Sequence, residues 1–388
     1  PQNPQTPVSS NISLQSFTAH TSMDSDDNPF EDDDMETDEH KVGAAMFANI
    51  EHVFVLETMM RFRDPILRTS LEKMRTPGGV ALEEEEWQAF LNTNVDVQSL
   101  DAHGRGNFLK KTEDWYHSSY LWCIVTLAAY TCAKLSAKRS QCTLFHLQAV
   151  DVPRTQPRGH SLPHEDTGAL GRETVELYRD RLQVAKLSTT KRLPGLACFH
   201  LNMRVRITAS VLPPWAVQDS TGNIKYIDVH PVDKLVLDSG VAPPAEYKLV
   251  HPPILYVDLD GVDHEFLPPT PCRSHLDSGF DENCVDCIMH KGLVQIKTQQ
   301  VAWYYVGEKN GYASSVDRLQ LPIMPEKACP LYGLQGTTAD PGLVAHWAIP
   351  RRMDNEVKWL MVYVMLCRVR SFDSLASFGL TTKIIEIM

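Results

Sequence analysis

The first part of the chain contains a short apolar run of the kind found in strands, followed by apolar residues at the spacing of a helical face. Val53–Leu56 is a continuous apolar run typical of a short buried strand. Asp64 and Pro65 then supply an N-cap and a first helical residue, and Pro77-Gly78-Gly79 supplies a stop. Between them, apolar residues recur at helical spacing: Leu67, Leu71 and Met74. These positions predict one strand followed by one helix.

The region up to residue 195 predicts further helices and one strand. Helical patterns cover about 82–91, 115–137 and 173–187, and the residues 144–150 alternate as a strand. A polar, proline-containing stretch at about 152–170 predicts a loop. The apolar run from Tyr120 to Ala133 is too short for a membrane span and ends in basic residues, so we expect a buried core helix and no membrane partner.

The pattern changes at Leu196 to short apolar or alternating runs separated by turn residues. They predict strands at 204–208, 224–229, 235–237, 255–259 and 294–296, which is typical of a small antiparallel sheet or barrel. Helical character returns at 357–369. We therefore expect an α/β domain, residues 43–199 and 311–388, interrupted by a β-rich insert at 200–310.

Charge changes this picture only at the N-terminus. Residues 1–40 contain ten acidic and no basic residues, which leaves 39 acidic and 37 basic residues, a balance of −2, in the remainder. We expect residues 1–42 to form a disordered acidic tail, either a solvated linker or an interaction tail. The near-neutral remainder neither favours nor excludes nucleic acid as a partner.

The nine cysteines show no disulfide-like spacing, which suits a reducing compartment. Cys272, Cys284, Cys287 and His290 form C-x11-C-x2-C-x2-H, with His275 nearby. The C-x2-C pair suits tetrahedral Zn²⁺, whereas the C-x2-H spacing is unusual for it. We expect no metal here, because a loop with incidental thiols explains these residues; the alternative is a metal site formed by the four.

A dense motif near the C-terminus is the best candidate for chemistry. Residues 363–371 read Tyr-Val-Met-Leu-Cys-Arg-Val-Arg-Ser, and Leu375 and Gly379-Leu380 follow closely. In a purely structural helix the apolar positions would pack and Arg368 and Arg370 would be solvated. The density of the pattern favours a functional motif.

Three earlier segments carry related signals. Arg61 follows the apolar run at 53–56, and Trp215 with Gln218-Asp219 follows the strand pattern that begins at Met203. Arg318-Leu-Gln320-Leu-Pro322 leads to Gln335-Gly336-Thr337-Thr338. A glycine such as Gly336 permits close backbone approach to a sugar-phosphate chain, and threonine hydroxyls can contact phosphate.

Taken in this order, the four segments resemble the second motor domain of superfamily 1B 5′-to-3′ DNA helicases of the petite-integration-frequency type, relatives of RecD. The resemblance covers about residues 45–388. It departs from the family pattern where Gly, Asn-Gly, Thr, His and Ser are usual: at Asn202, Gln218-Asp219, Pro330, Tyr332 and Cys367.

The resemblance implies a RecA-like parallel sheet with helices on both faces and a small SH3-like barrel insert. It implies that Arg61 and Arg368 address the γ-phosphate of ATP as arginine fingers, with Gln335 and Gly336 also at the nucleotide. It further implies contacts to single-stranded DNA from Thr337, Thr338, Arg318 and Trp215. ATP with Mg²⁺ would be held mainly by a first motor domain, and the activity would serve DNA repair, recombination or replication in the nucleus or, alternatively, in mitochondria.

The sequence contains no G-x-x-x-x-G-K-[ST] loop, which holds the phosphates in P-loop motors. We therefore expect a fragment that lacks the P-loop half and does not hydrolyse ATP alone. The alternative is a non-catalytic remnant of a transposon-type helicase that only binds nucleic acid or packs against a partner.

Overall fold

The computed structural model describes residues 62–75, 80–96, 99–153, 185, 187, 189–240, 242–306, 313–334, 336–348 and 353–385. All of them belong to one compact unit, Met59–Met388. The predicted tail at 1–42, the strand at 53–56, the loop after residue 153 and most of the helix at 173–187 lie outside the described residues, as do Arg61 and Gln335.

Helices and strands are numbered in chain order. The helices are α1 Pro65–Arg75, α2 Glu84–Asn92, α3 Ala102–Thr112, α4 Trp122–Ser140, α5 Pro231–Asp238, α6 Val285–Met289, α7 Asn355–Leu366 and α8 Thr382–Ile385. The strands are β1 Tyr116–Ser119, β2 Leu144–Gln148, β3 Val150–Pro153, β4 Leu196–Phe199, β5 Arg204–Ile207, β6 Thr221–Asp228, β7 Glu246–Lys248, β8 Ile254–Leu259, β9 Val294–Ile296, β10 Gln299–Val306, β11 Ala313–Gln320, β12 Ile323–Pro325, β13 Ala328–Pro330, β14 Leu343–His346 and β15 Leu375–Phe378. Short 3₁₀ turns cover His264–Phe266, Arg273–His275, Leu331–Leu334 and Phe372–Ser374.

The first helix begins where the sequence predicts. Asp64 Oδ1 accepts hydrogen bonds from the backbone amides of Ile66 and Leu67 at 2.9 and 3.2 Å. Pro65 has no N–H to satisfy at this position, and the predicted apolar face of α1 is buried. The predicted helix at 82–91 is likewise confirmed as α2, in which the Glu86 carboxylate accepts a hydrogen bond from the backbone N–H of Glu83 at 2.7 Å.

A four-stranded parallel sheet forms the α/β part, in the order β13-β1-β14-β15. Its central strand, β1, contradicts the prediction of continuous helix over 115–137, since the helix α4 begins only at Trp122. The segment 116–119 is short, and its three residues after Tyr116 are polar, so no apolar period marks it as a strand. Their burial comes from flanking strands distant in sequence: His117 is paired with Ala328 on one side and Val344 on the other.

Side chains of the parallel strands alternate between two covered faces. Leu343, Ala345 and Leu375 pack on one face with buried residues of α1 and α7. Val344 and Ala376 point to the other face, where they pack with Trp115 and with Phe108 of α3. Helix α4 covers β13 on that face through Trp122, Val125, Ala128 and Ala129. This is the parallel sheet with helices on both faces that the sequence predicts.

The Trp115 ring lies directly on the backbone of Gly342, just before β14. A side-chain carbon added at Gly342 would overlap the ring. Glycine is therefore required here by close approach of an aromatic side chain to the backbone.

The β-rich part extends beyond the predicted limits of 200 and 310. It contains a five-stranded antiparallel sheet in the order β12-β5-β6-β8-β9 and two three-stranded sheets, β10-β11-β3 and β4-β2-β7. The strands predicted at 204–208, 224–229, 255–259 and 294–296 are confirmed within the five-stranded sheet. Strands β2 to β4 and β11 to β12 lie outside 200–310 but belong to these sheets.

The strand predicted at 235–237 is wrong, because Leu235, Val236 and Leu237 lie in α5. Pro231 occupies the first turn, and His230 Nδ1 accepts the backbone N–H of Val232 at 3.3 Å, so the helix-start signal prevails over the short apolar run. Among the described helices, including the 19-residue α4, none has the length and apolar content needed to cross a membrane.

Candidate functional site

Three of the four motif segments meet at the amino-terminal edge of the parallel sheet. The backbone N–H of Ala339, ahead of β14, donates to the carbonyl of Arg368, ahead of β15, at 2.9 Å. The backbone N–H of Arg63 donates to the carbonyl of Arg370 at 2.9 Å. Segments 62–64, 336–340 and 368–371 therefore lie side by side, although they are far apart in sequence.

Arg368 lies just beyond the C-terminal end of α7. Its guanidinium Nε donates to the carbonyl of Val364 at 3.0 Å, and the side chain is half-buried. A cation beside the last carbonyls of a helix interacts favourably with the helix dipole. In this conformation the guanidinium therefore caps its own helix.

Arg370 and Lys327 add positive charge at the same edge. Arg370 Nη1 lies 3.7 Å from Asp340 Oδ2. Lys327 precedes β13, donates from Nζ to the Asp340 carbonyl at 3.4 Å, and lies 4.0 Å from the centroid of the Tyr116 ring. Burial lowers the pKa of Lys327 and raises that of Tyr116 to about 12. Arg368, Arg370 and Lys327 belong to the segments at this edge, which we call the cationic edge, although the Asp340 carboxylate lies there as well. Guanidinium and ammonium groups are suited to an anion such as a phosphoryl group.

Lys327 was not a candidate in the sequence. It lies directly before Ala328-Cys329-Pro330, a strand too short to be marked by period-two alternation. The nearest residue that the sequence analysis singled out is Pro330, which differs from the pattern of the resembling helicases and is the last residue of β13.

Gly336 follows the 3₁₀ turn at 331–334 and has a φ of 79°. It is exposed, and no atom lies within 4 Å of the position that a side-chain carbon would take. The backbone N–H of Thr337 donates to the Leu334 carbonyl at 3.0 Å, and Thr337 and Thr338 are half-buried. The glycine leaves room for close approach of a ligand to the backbone, and its role at a nucleotide stays a prediction.

The prediction that Arg318 contacts single-stranded DNA is wrong. It is fully buried, and its Nε and Nη2 donate to the two carboxylate oxygens of Asp151 at 2.8 Å each. Its Nη1 donates to the Leu193 carbonyl at 3.3 Å. The guanidinium is therefore committed to joining β11, β3 and the segment before β4, and is not placed to contact nucleic acid.

Gln320 is also buried, and its side-chain amide donates to the Leu147 carbonyl at 2.9 Å. The polar residues of the Arg318-x-Gln320 motif thus connect strands inside the β-rich part. Two polar residues separated by one position can lie in a buried polar network or on a binding surface. The sequence does not distinguish these cases, which explains the incorrect prediction for Arg318.

Trp215 lies in the turn between β5 and β6 and is half-buried against the core of the five-stranded sheet. Asn202 and Asp219, two positions at which the resemblance leads us to expect glycine, have φ values of 65° and 68°. Asn and Asp tolerate left-handed backbone better than other non-glycine residues. The two substitutions thus retain the backbone conformation that glycine would favour.

The cysteine constellation forms with a different histidine from the predicted one. The metal-binding atoms of Cys272, His275, Cys284 and Cys287 lie within 4.8 Å of one another. His290 instead stacks on the Tyr256 ring, with centroids 3.6 Å apart and an interplanar angle of 14°. The inclusion of His290 in the predicted metal site is therefore wrong.

A second group of potential ligands, His230, Asp233 and His251, is held by hydrogen bonds within the protein. The Asp233 carboxylate accepts from the backbone amides of Val250 and His251 at 3.1 and 2.9 Å and lies 3.0 Å from His251 Nδ1. These hydrogen bonds keep the pKa of Asp233 below its usual value, although its burial opposes them. They account for the burial of the carboxylate without a metal ion.

Comparison with known proteins gives structural likenesses only. No protein-family model and no curated protein matches the chain. The structure is similar to the Pif1 helicase from Candida albicans, with 13% sequence identity and a TM-score of 0.41 over 88% of this chain and 60% of that one.

Two Bacteroides structures are similar as well. The Pif1 helicase in complex with ADP-AlF3 and single-stranded DNA shares 11% identity with a TM-score of 0.42, over 86% of this chain and 53% of that one. Pif1 bound to single-stranded DNA shares 11% identity with a TM-score of 0.40, over 84% and 52%. This chain spans only part of their length, and likeness at this level assigns no activity to it.

Proposed function

We propose that this chain supplies the second motor domain of an ATP-dependent 5′-to-3′ DNA helicase. The observation that supports the proposal is the meeting of the segments 62–64, 336–340 and 368–371 at one cationic edge of the parallel sheet. The resemblance implies that Arg61 and Arg368 lie close together, because two arginine fingers must address one phosphoryl group. Arg61 lies outside the described residues, so its own position stays a prediction.

The chemistry of this edge suits phosphate oxygens. Arg368, Arg370 and Lys327 provide cationic donors, and Gly336 gives open access to the backbone. ATP supplies the transferable phosphoryl group when bound, and we assign its Mg²⁺ to the P-loop domain of the intact motor. Arg368 would exchange its bond to the Val364 carbonyl for a phosphate oxygen, and that carbonyl would keep the Cys367 thiol as a donor at 3.3 Å.

We assign contacts with single-stranded DNA to Thr337, Thr338 and Trp215. Threonine hydroxyls can contact phosphates, and an indole provides a stacking surface for a base. A role in DNA repair, recombination or replication, in the nucleus or in mitochondria, follows from the same proposal.

The test compares ATP turnover by the 388-residue protein with turnover after a P-loop motor domain is joined ahead of it. We expect no turnover by the chain alone, with or without a dT oligonucleotide, and DNA-stimulated turnover by the joined protein. In the latter, Arg368→Ala should reduce kcat by about 10³-fold or more with little change in KM for ATP. Arg139→Ala, a charge-matched change at the exposed end of α4, should leave kcat unchanged.

Two results would contradict the proposal: ATP turnover by the chain alone, or an Arg368→Ala variant as active as Arg139→Ala. A joined protein that binds the oligonucleotide but never hydrolyses ATP would instead support a non-catalytic remnant.

A further inference from the structure

The connection between β8 and β9 brings three thiols and one imidazole together. Cys272 Sγ lies 3.2 Å from His275 Nδ1 and 3.9 Å from Cys284 Sγ, and Cys287 Sγ lies 3.7 Å from His275 Nδ1. Tetrahedral zinc with Zn–S of about 2.3 Å and Zn–N of about 2.0 Å places sulfurs about 3.8 Å apart and sulfur and nitrogen about 3.6 Å apart. The observed separations agree with these values to within a few tenths of an ångström.

The sulfurs are not arranged as a disulfide. The 3.9 Å between Cys272 and Cys284 is almost twice an S–S bond, and all nine cysteines are free thiols. Cys272 and Cys287 are buried, and Cys284 and His275 are half-buried. Water therefore has limited access to the space between the four ligand atoms.

Local backbone structure places the ligands in two pairs. Cys272 and His275 flank the 3₁₀ turn Arg273–His275, and Cys284 and Cys287 span the first turn of α6. The sequence between them reads C-x2-H-x8-C-x2-C. The backbone N–H of Cys272 lies 3.4 Å from Cys287 Sγ and points to it, as a donor to a thiolate would.

The surroundings of His275 match those of a metal-bound imidazole. Its Nδ1 faces the sulfurs, while its Nε2 lies 3.6 Å from Asp281 Oδ2. The other oxygen of that carboxylate accepts the backbone N–H of Asn283 at 2.9 Å, which fixes its orientation. A carboxylate on the second ring nitrogen is the usual partner of a metal-ligating histidine, since it fixes the tautomer.

The segment around the cluster has few apolar contacts of its own. Leu276 packs against Ile254, Tyr256 and Leu293. Hydrogen bonds from Tyr256 and Gln295 to the Pro271 carbonyl tie the start of the segment to β8 and β9. A connection of this length with so small a core gains order from a metal ion that joins its two turns.

We propose that Cys272, His275, Cys284 and Cys287 bind a structural zinc ion that fixes residues 272–287 against β8 and β9. Three thiolates and one imidazole form a complete tetrahedral set, so no position stays open for a substrate, and the role is structural. The site is independent of the helicase proposal, since it lies within the β-rich part and shares no residue with the cationic edge.

The experiment measures zinc bound to the folded 388-residue protein, purified from zinc-replete medium without chelator, by inductively coupled plasma mass spectrometry. We expect about one zinc per chain, and Cys284→Ser or His275→Ala should reduce it roughly tenfold. His275→Cys should retain the metal, because four thiolates also suit zinc. Two control variants should keep full zinc content: Cys123→Ser, which changes an exposed thiol elsewhere, and His290→Gln, which changes the histidine outside the cluster.

Replacement of zinc by Co²⁺ provides a second readout that needs no variant to fold. The wild-type protein should show the intense visible bands of tetrahedral cobalt together with thiolate-to-cobalt charge transfer. A folded wild-type protein without zinc, a spectrum of six-coordinate cobalt, or a folded Cys284→Ser variant with full zinc content would each overturn the proposal. Loss of zinc in folded His290→Gln with full retention in His275→Ala would overturn the choice of histidine.

Discussion

Replacing Arg318 by leucine tests whether this residue is structural. Its side chain is 0% exposed and that of Asp151 is 10% exposed, and two bonds of 2.8 Å join them. Arg318→Leu leaves a mostly buried carboxylate without its partner, and loss of one member of a buried pair costs about 3–5 kcal/mol. The residual exposure of Asp151 lets water reach it, so we expect a loss of about 3–4 kcal/mol in the free energy of unfolding.

Urea unfolding followed by tryptophan fluorescence measures this loss. With a urea m-value of about 3 kcal/mol/M, the midpoint should fall by about 1 M. Arg68→Leu is the matched control, because the ion pair of Arg68 with Glu72 is exposed and should contribute less than about 0.5 kcal/mol. The double variant Arg318→Leu/Asp151→Leu should be more stable than the sum of the two single changes predicts.

Equal midpoints for Arg318→Leu and Arg68→Leu would refute the structural role. A folded Arg318→Leu variant of unchanged stability, with weakened binding to a dT oligonucleotide, would restore the DNA contact that the sequence had predicted.

Two further predictions concern the parallel sheet. The pKa of His117 is lowered from 6.5 to about 4, first by burial and then by the neighbouring His346. Unfolded chains therefore bind a proton near pH 6.5 that the folded protein binds only near pH 4, so stability should be full above pH 6.5 and fall as the pH decreases towards 4. The urea midpoint should be lower at pH 5 than at pH 7, and His117→Phe should reduce that difference; an unchanged difference would contradict the assignment. Gly342→Ala should lower the free energy of unfolding by about 1–3 kcal/mol, because the added carbon overlaps the Trp115 ring. Gly106→Ala is the control: this position on α3 faces open space, and the change should raise the free energy of unfolding by about 0.5–1 kcal/mol. Similar effects of the two changes in urea unfolding would contradict this reasoning.

Elements with local signals were predictable from the sequence. The helix α1 carries its own cap in Asp64 and its own apolar face, and in β9 the apolar residues Val294 and Ile296 alternate with Gln295. The strand β1 carries no such signal, since its polar residues are buried only through pairing with β13 and β14. For the same reason the sequence could not show that Arg318 faces Asp151 rather than solvent.

The candidate sites were also predictable only where local sequence signals specify them. The resemblance implies that Arg61 and Arg368 address one phosphate, which stays a prediction because Arg61 lies outside the described residues. Backbone hydrogen bonds do join Arg63 to Arg370 and Ala339 to Arg368. Cysteine spacing suggested a metal site only as the alternative to incidental thiols, and that alternative included His290, which stacks on Tyr256 instead. Which histidine joins the cysteines, His275 or His290, depends on the 3₁₀ turn Arg273–His275, and the spacing of the residues does not predict that turn.

The position of β1 between β13 and β14 sets the order of events during synthesis. Its residues leave the ribosome more than 200 positions before Ala328 and Leu343, the first residues that pair with it in the sheet. At typical translation speeds the nascent strand waits roughly ten to forty seconds for these neighbours. The β-rich part is complete in the meantime, and its folding brings the two ends of the interruption together, which shortens the search. Until then Tyr116 and Trp115 present an unpaired, apolar edge, so nascent chains that stall before residue 343 should be bound by chaperones or aggregate.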